Sequence, residues 1–192
     1  MHHLPQPIHD AAASFDRLPG VGPRASLRYA YWLVTQPKEV IECFARSIQN
    51  LVHGVTTCAV CFQWAETSPC AVCQDLARDK QIICVVATSQ DVRVVEDTGV
   101  FKGLYHVLGG TLDPIEGRTA ETLTFEPLVQ RLKTADPPIK ELILAFDANI
   151  PGDTTALYVR QQVSRMTSNQ PLRITRLARG LPTGASLEYA DA

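Results

Sequence analysis

The sequence predicts an α/β protein with a helical N-terminal part, a small four-cysteine module, a parallel α/β sheet domain and a short C-terminal extension. Three patterns support this prediction. Apolar residues recur at helical spacing in the first segment, four cysteines follow as two CxxC pairs, and short apolar runs then alternate with amphipathic segments. From these patterns we expect the chain to divide into segments 1–55, 56–78, 80–176 and 177–192.

Composition and charge exclude several classes of protein. Apolar residues make up 45% of the chain and charged residues 20%, as in globular proteins. No apolar run approaches the ~20 residues that a membrane helix needs, and the N-terminus lacks the regions of a signal peptide, so we expect a cytoplasmic chain. Its 18 basic and 20 acidic side chains give a net charge of -2, so nucleic acid would have to bind through a local patch.

Three helices are predicted in segment 1–55. The first runs from Ile8 to Arg17 and is followed by a Leu-Pro-Gly-Val-Gly-Pro hairpin. Pro23 suits the first position of a second helix, which we expect to extend to Gln36. Pro37 opens the third helix. The apolar positions predicted to form its buried stripe are Val40, Ile41, Phe44, Ala45, Ile48 and Leu51.

The hairpin between the first two helices resembles the helix-hairpin-helix motif that binds DNA. Gly20 and Gly22 would let the backbone approach a phosphate, and the N–H groups of the next helix would point at it with a favourable dipole. Arg24 and Arg28 lie one helical turn apart and add cations beside these groups. Such a motif contacts the DNA backbone, so we expect sequence-independent binding. The alternative is an ordinary helical hairpin with solvated arginines.

Four cysteines predict a structural metal centre. Two CxxC pairs eight residues apart are typical of a closed tetrahedral site and predict one Zn2+ ion per chain. The predicted ligands are Cys58, Cys61, Cys70 and Cys73. The alternatives are two disulfides, which need an oxidising compartment, or a redox CxxC, which is expected as one motif rather than two. His53 could compete as a ligand, and Cys43 and Cys84 lie in apolar runs and are predicted to be buried.

Segment 80–176 alternates strands with helices, which implies a parallel sheet with helices on both faces. Apolar runs predict strands at residues 82–87, 105–108, 142–146 and 172–175. The segments between them predict helices at residues 89–98, 124–134 and 154–166. The first strand is apolar throughout, as expected of a strand that is buried on both sides. His106 lies in the second strand and is predicted to pack rather than to catalyse.

The acidic residues of this segment decide whether it is an enzyme. A Toprim-like domain binds Mg2+ through a glutamate at the end of its first strand and an Asp-x-Asp pair after a later strand. Here Ala87 ends the first strand, and Asn149 and Pro151 interrupt the later loop, so Asp147 and Asp153 are the remaining hard ligands. Two carboxylates are too few for two-metal catalysis. The sequence also lacks a phosphate-binding loop and the common hydrolase motifs.

The order of these motifs, with the segment Ala178–Gly184 (ARGLPTG) near the end, resembles the RecR family of recombination mediators. The resemblance spans residues from about Phe15 to Glu188. It implies a non-catalytic, nucleoid-associated bacterial factor for DNA repair and homologous recombination, which acts with RecO and RecF to help load recombinase on single-stranded DNA. It also implies a homo-oligomer, a ring-type dimer or tetramer that clamps DNA with Arg24 and Arg28.

The same resemblance implies that the Toprim-like domain is a docking surface for proteins, with Asp147 and Asp153 as candidate contacts. The family usually has a glutamate at the position of Ala87 and a more acidic loop at 147–153, so we expect altered partner contacts. Relatives also extend beyond the position of Ala192, from which we expect altered or weaker ring closure. Two alternatives stay open: a Toprim-type Mg2+-dependent nuclease, primase or topoisomerase, and a zinc-stabilised scaffold with no DNA role.

Overall fold

The computed structural model of the chain describes residues 4–166 and 172–178. These residues form helices and strands in the predicted order, which confirms a mixed α/β fold. The chain divides into two compact units, Met1–Gly54 and Val55–Ala192. Most of the ARGLPTG motif and of segment 177–192 lies outside the described residues. Across the described ranges, no helix combines the length and the apolar character needed to span a membrane.

The first unit consists of α1 (Gln6–Asp16), α2 (Pro23–Val34) and α3 (Lys38–Gly54). α1 and α2 pack as a hairpin, and the rings of Phe15 and Tyr29 meet edge to face with 5.9 Å between their centroids. The turn between these helices requires Gly20, whose φ of +78° lies in the left-handed region that glycine adopts without strain. Gly22 caps α2, and Pro23 occupies its first position as predicted.

The apolar stripe of α3 is exposed, so the prediction that it is buried is wrong. The exposed fraction is 44% for Phe44, 48% for Ile48 and 64% for Leu51, and α3 has no buried residue. The helical period itself was predicted correctly. Periodicity shows that one face of a helix is apolar, but it does not show that another part of the same chain covers that face. Cys43, which was also predicted to be buried, is exposed on α3 for the same reason.

The second unit contains a two-stranded antiparallel ribbon and a four-stranded parallel sheet with strand order β4-β3-β5-β6. The ribbon strands are β1 (Thr56–Thr57) and β2 (Trp64–Ala65). The sheet strands are β3 (Asp79–Val86), β4 (Gly103–Val107), β5 (Glu141–Ala145) and β6 (Arg173–Arg176). The helices are α4 (Ala71–Gln74), α5 (Ser89–Asp97), α6 (Phe125–Thr134) and α7 (Ile150–Met166), with a 3-10 turn at Ala120–Thr122. The predicted parallel sheet is thus confirmed.

The central strand β3 is buried on both faces. Ile83 and Val85 pack in a core with α6 and α7, whereas Cys84 and Val86 pack in a second core with α5. This alternation explains the unbroken apolar run in the sequence, because both faces of the strand leave water. Each such side chain contributes about 1.5–3 kcal/mol by its burial. Cys84 and His106 are buried, as predicted.

α7 begins at Ile150, four residues earlier than the predicted start at Thr154. Pro151 is compatible with the first turn of a helix, because the N–H group that proline lacks would have no intrahelical partner there. The side-chain oxygen of Asn149 accepts the N–H of Gly152 at 2.8 Å, so Asn149 caps the helix. The loop after β5 is therefore shorter than the sequence indicated.

Candidate metal centre and nucleic-acid interface

The four cysteines of the two CxxC pairs lie together in the second unit, with all four Sγ atoms within 4.8 Å of one another. The Cys61 and Cys70 sulfurs are 3.6 Å apart, and those of Cys58 and Cys73 are 3.9 Å apart. A tetrahedral zinc ion with Zn–S bonds of about 2.3 Å needs sulfurs about 3.8 Å apart. All four thiols are free, and these separations far exceed a disulfide bond of about 2.05 Å. The donor set therefore fits one zinc ion.

Two short backbone turns bring the sulfurs together. Cys58 and Cys61 flank a turn in which the N–H of Phe62 donates to the Cys58 carbonyl at 2.9 Å. Phe62 has a φ of +65°, an unusual value for a residue with a side chain. Cys70 and Cys73 lie at the first turn of α4. The N–H of Cys70 also donates to the Cys58 sulfur at 3.3 Å and so links the two turns.

Three cysteines of the cluster are buried and Cys73 is partly exposed, and the pKa values of Cys61 and Cys70 are shifted in opposite directions. Cys58, Cys61 and Cys70 have at most 1% of their surface exposed. A hydrogen bond from the Cys73 thiol lowers the pKa of Cys61 to about 5, whereas burial raises the pKa of Cys70. Ligation requires thiolates, so a divalent cation would displace the remaining protons. Four thiolate ligands leave no position for a reactive water, and such an ion would supply structural cross-linking rather than catalysis.

The hairpin of the first unit presents open backbone and two cations. No atom lies within 4 Å of the point where a side chain on Gly20 or Gly22 would begin. In the described part of the chain, the N–H groups of these two glycines have no backbone acceptor. Arg24 and Arg28 are exposed, and the Arg28 guanidinium lies 5.5 Å from the centroid of the Tyr29 ring. The positive end of the α2 dipole lies at the same place, so this geometry suits an anion.

The acidic loop after β5 does not assemble a metal site among the described residues, because neither of its aspartates belongs to a group of three or more potential ligands. Asp147 is exposed, and Asp153 forms an ion pair with Arg176. Asn149 is used as the helix cap described above. A side chain on Gly152 would begin 2.2 Å from the Asp147 carbonyl oxygen, so this turn requires glycine.

Two family models match the chain. The model described as RecR, helix-hairpin-helix matches residues 8–52, and the model of the Toprim domain matches residues 81–178. Recombination protein RecR of Staphylococcus haemolyticus (strain JCSC1435) is 39% identical over 189 residues, which are 98% of this chain and 92% of that protein. The chain belongs to the RecR family.

Membership of the RecR family confirms the resemblance that the motifs indicated. The Gly20–Arg28 hairpin lies inside the RecR helix-hairpin-helix match, and the parallel sheet with its acidic loop lies inside the Toprim match. The four-cysteine cluster lies between the two matched regions. RecR membership supports a role in recombination and repair. A Toprim domain by itself does not show catalysis.

Sequence reasoning missed the contacts that join the cysteine module of this RecR-family chain to its sheet. The N–H of Val107, on the free edge of β4, donates to the Cys61 carbonyl at 2.8 Å. The N–H of Trp64 donates to the Ser89 hydroxyl at 2.9 Å, at the start of α5. These contacts are made by backbone groups or by a common serine, so no motif marks them. The module thereby covers part of an otherwise open sheet edge.

A second set of unforeseen contacts surrounds Arg78, at the entry to β3. Its guanidinium donates to Glu96 Oε1 at 2.8 Å and to the Gly103 carbonyl at 3.1 Å. The Tyr105 hydroxyl donates to the same carboxylate at 2.5 Å. The hydrogen bond from Arg78 lowers the pKa of Glu96. These contacts tie β3, β4 and α5 together, and the sequence offered no spacing from which to infer them.

Proposed function

We propose that this RecR-family chain is a non-catalytic mediator of DNA repair and homologous recombination. In this proposal it binds DNA through its hairpin and acts with RecO and RecF to help load recombinase on single-stranded DNA, at the nucleoid in the cytoplasm. The observation that carries the proposal is the hairpin, where the free N–H groups of Gly20 and Gly22 stand beside the exposed cations of Arg24 and Arg28.

The proposed contacts are to phosphates rather than to bases. Backbone N–H groups and guanidinium donors match phosphate oxygens, and they carry no information about sequence. The net charge of -2 gives the whole chain no attraction for DNA, so affinity has to come from this local patch. Binding should therefore be independent of sequence and strongly weakened by salt.

The DNA-binding test replaces Arg24→Glu together with Arg28→Glu and measures affinity for a labelled single-stranded oligonucleotide at several salt concentrations. We expect affinity at low salt to fall by about tenfold or more, with a shallower salt dependence, because phosphate contacts are lost. The matched control is Arg160→Glu with Arg165→Glu, two exposed arginines of α7 whose replacement changes the net charge equally. Unchanged affinity in the hairpin variant, or an equal loss in the control, would refute the proposed site.

We also propose that the four cysteines bind one structural Zn2+ ion per chain. Their separations and their burial support this assignment. The strands β1 and β2 have two residues each, so the module has little hydrogen-bonded structure of its own. Metal ligation would supply the stability that so small a module lacks.

The sheet domain is proposed to bind RecO or RecF through the acidic loop at the carboxyl ends of its strands. Asp147 is exposed there, whereas Asp153 is the weaker candidate because it is paired with Arg176. A basic partner surface would be attracted to the free carboxylate. We expect Asp147→Lys to weaken binding to RecO or RecF in calorimetry and to leave DNA affinity unchanged. Unaltered binding of both partners would exclude Asp147 as a contact.

A ring-type dimer or tetramer is proposed because the first unit exposes apolar surface that no other described residue covers. The exposed stripe of α3 borders an apolar groove of about 350 Å³ in the same unit. The groove is lined by Phe15, Leu18, Tyr29, Trp32, Leu33, Val40 and Phe44. Contiguous apolar surface of this kind marks interaction sites, and a second copy of the chain would cover it.

The alternative, a Mg2+-dependent nuclease, primase or topoisomerase, gains no support from the geometry of the acidic loop. Ala87 has no ligand atom, Asn149 caps a helix, and Asp153 is paired with an arginine. We expect DNA incubated with the protein and Mg2+ to remain uncut, unextended and unchanged in supercoiling. Turnover that Asp147→Ala abolishes would favour the enzyme instead.

A further inference from the structure

The cysteine centre has a charge that the neutral backbone donors around it do not neutralise. With the zinc ion proposed above, on which this inference rests, four thiolates would give the centre a net charge of about -2. Cys58, Cys61 and Cys70 are almost fully buried. Buried charge is costly unless donors or opposite charges compensate it. Backbone N–H groups donate to the sulfurs, from Cys70 to Cys58 at 3.3 Å, from Gln63 to Cys61 and from Cys73 to Cys70, but none of these donors carries a positive charge.

Arg131 lies beside this centre although it belongs to α6 of the sheet domain. Its side chain is half-buried, and its Nη1 donates to the Tyr105 carbonyl of β4 at 2.6 Å. Two residues further along β4, the N–H of Val107 donates to the Cys61 carbonyl at 2.8 Å. Residues two apart in a strand direct their backbone groups to the same edge, about 7 Å from each other. The guanidinium and the backbone of Cys61 are therefore neighbours along the free edge of β4.

The charges around Arg131 single out the cysteines as its counterpart. Within the ranges that the structure describes, no carboxylate lies at ion-pair distance from Arg131. Arg78 differs, because its largely buried guanidinium pairs with the carboxylate of Glu96.

We propose that Arg131 is the counter-charge of the metal–thiolate centre, a positioning residue that α6 holds against the free edge of β4. It strengthens metal binding by offsetting the negative charge of the buried thiolates. Because the same guanidinium is anchored on the Tyr105 carbonyl, it also links occupancy of the centre to the sheet domain.

Two variants separate charge from hydrogen bonding. Arg131→Gln keeps an N–H donor for the Tyr105 carbonyl but removes the charge, whereas Arg131→Lys keeps the charge. The control is Lys133→Gln, which removes an exposed cation from the same last turn of α6 and so reproduces any effect of the helix dipole. Zinc affinity is measured on the full chain by competition with a chromophoric chelator, and zinc release is followed as the pH is lowered.

We expect Arg131→Gln to lower zinc affinity by about tenfold or more, as loss of groups around metal ligands typically does. The pH at half-release should rise by about 0.3–0.5, because a tenfold loss is spread over the two to four protons that replace the metal. Arg131→Lys should have a zinc affinity and a pH at half-release close to those of the wild type, and Lys133→Gln should match the wild type in both.

Several results would overturn the proposal. The first is an Arg131→Gln variant whose zinc affinity and pH at half-release equal those of the wild type. The others are an Arg131→Lys or a Lys133→Gln variant that loses as much zinc affinity as Arg131→Gln does. If Arg131→Gln does not fold, Arg131→Lys decides alone: affinity within about threefold of wild type supports the proposal, and a tenfold loss refutes it. A wild-type protein that binds no zinc would instead refute the metal site itself, so the two failures are distinguishable.

Discussion

His106 is a fully buried imidazole whose surroundings disfavour its charged form. Its Nε2–H donates to the Thr124 carbonyl at 2.9 Å, and in the described residues its Nδ1 atom has no hydrogen-bond partner. Its ring lies 5.3 Å from that of Phe62, beside the cysteine module. Burial lowers the pKa of His106 to about 4. The sequence predicted that this residue packs, but the unpaired nitrogen depends on neighbours that are distant in the chain.

Acid should therefore destabilise the protein through His106. The unfolded chain binds a proton on this histidine near pH 6.5, whereas the native state binds it only near pH 4, so stability is lost as the pH falls through that window. The full effect is roughly 3 kcal/mol. The measurement is the free energy of unfolding by urea at pH 7.5 and at pH 4.5, for the wild type and for His106→Gln. Both proteins contain the cysteine centre, so its own pH dependence cancels in the comparison. If the wild type and His106→Gln differ in free energy of unfolding by the same amount at both pH values, His106 does not cause the loss of stability in acid.

At the scale of elements, the sequence predicted the helices and strands better than it predicted what covers them. The apolar run of β3 was read correctly as buried on both faces, because alternate residues face helices on either side. The stripe of α3 was read as buried and is exposed, because periodicity is local whereas burial requires a partner. The cysteine spacing likewise predicted the cluster, but docking of Cys61 on Val107 and the position of Arg131 depend on the tertiary fold.

Metal removal should unfold the cysteine module before the sheet domain. The sheet has its own apolar cores, whereas the module relies on its four sulfurs. We expect Cys61→Ser to lose most of its zinc and to become sensitive to proteolysis within residues 56–78. The control is Cys43→Ser, which replaces an exposed cysteine of α3 and should keep its zinc. A zinc-free Cys61→Ser protein with wild-type protease resistance would show that the ion is not structural.

At the scale of the whole molecule, the exposed apolar face of the first unit predicts self-association. Ile48→Asp places a charge in this face and should lower the oligomer mass measured by light scattering, because burying an unpaired carboxylate is costly. The control is Val94→Asp, since Val94 is 67% exposed on α5 of the other unit. A wild-type protein that is monomeric at tens of micromolar, or an Ile48→Asp variant of unchanged mass, would contradict the proposed ring.

The proposed role of the whole chain is to handle DNA by contact rather than by chemistry. Its candidate DNA contacts are the open glycine backbone and two arginines of one hairpin, and its Toprim sheet ends in a loop whose residues cap a helix and form an ion pair. With zinc bound, four thiolate ligands would leave no position at the cysteine centre for a reactive water. The sequence predicted the hairpin, the cysteine cluster and the shortage of carboxylates, because these are local features, whereas the Asn149 cap and the ion pair of Asp153 with Arg176 depend on the fold. RecR-family membership joins these parts in one protein.

The most direct test is the rate at which recombinase assembles on single-stranded DNA that is covered by its binding protein, measured with RecO present. We expect the wild-type chain to accelerate assembly, Arg160→Glu with Arg165→Glu to do so equally, and Arg24→Glu with Arg28→Glu not to accelerate it. Full acceleration by the hairpin variant, or no acceleration by the wild type, would contradict this expectation.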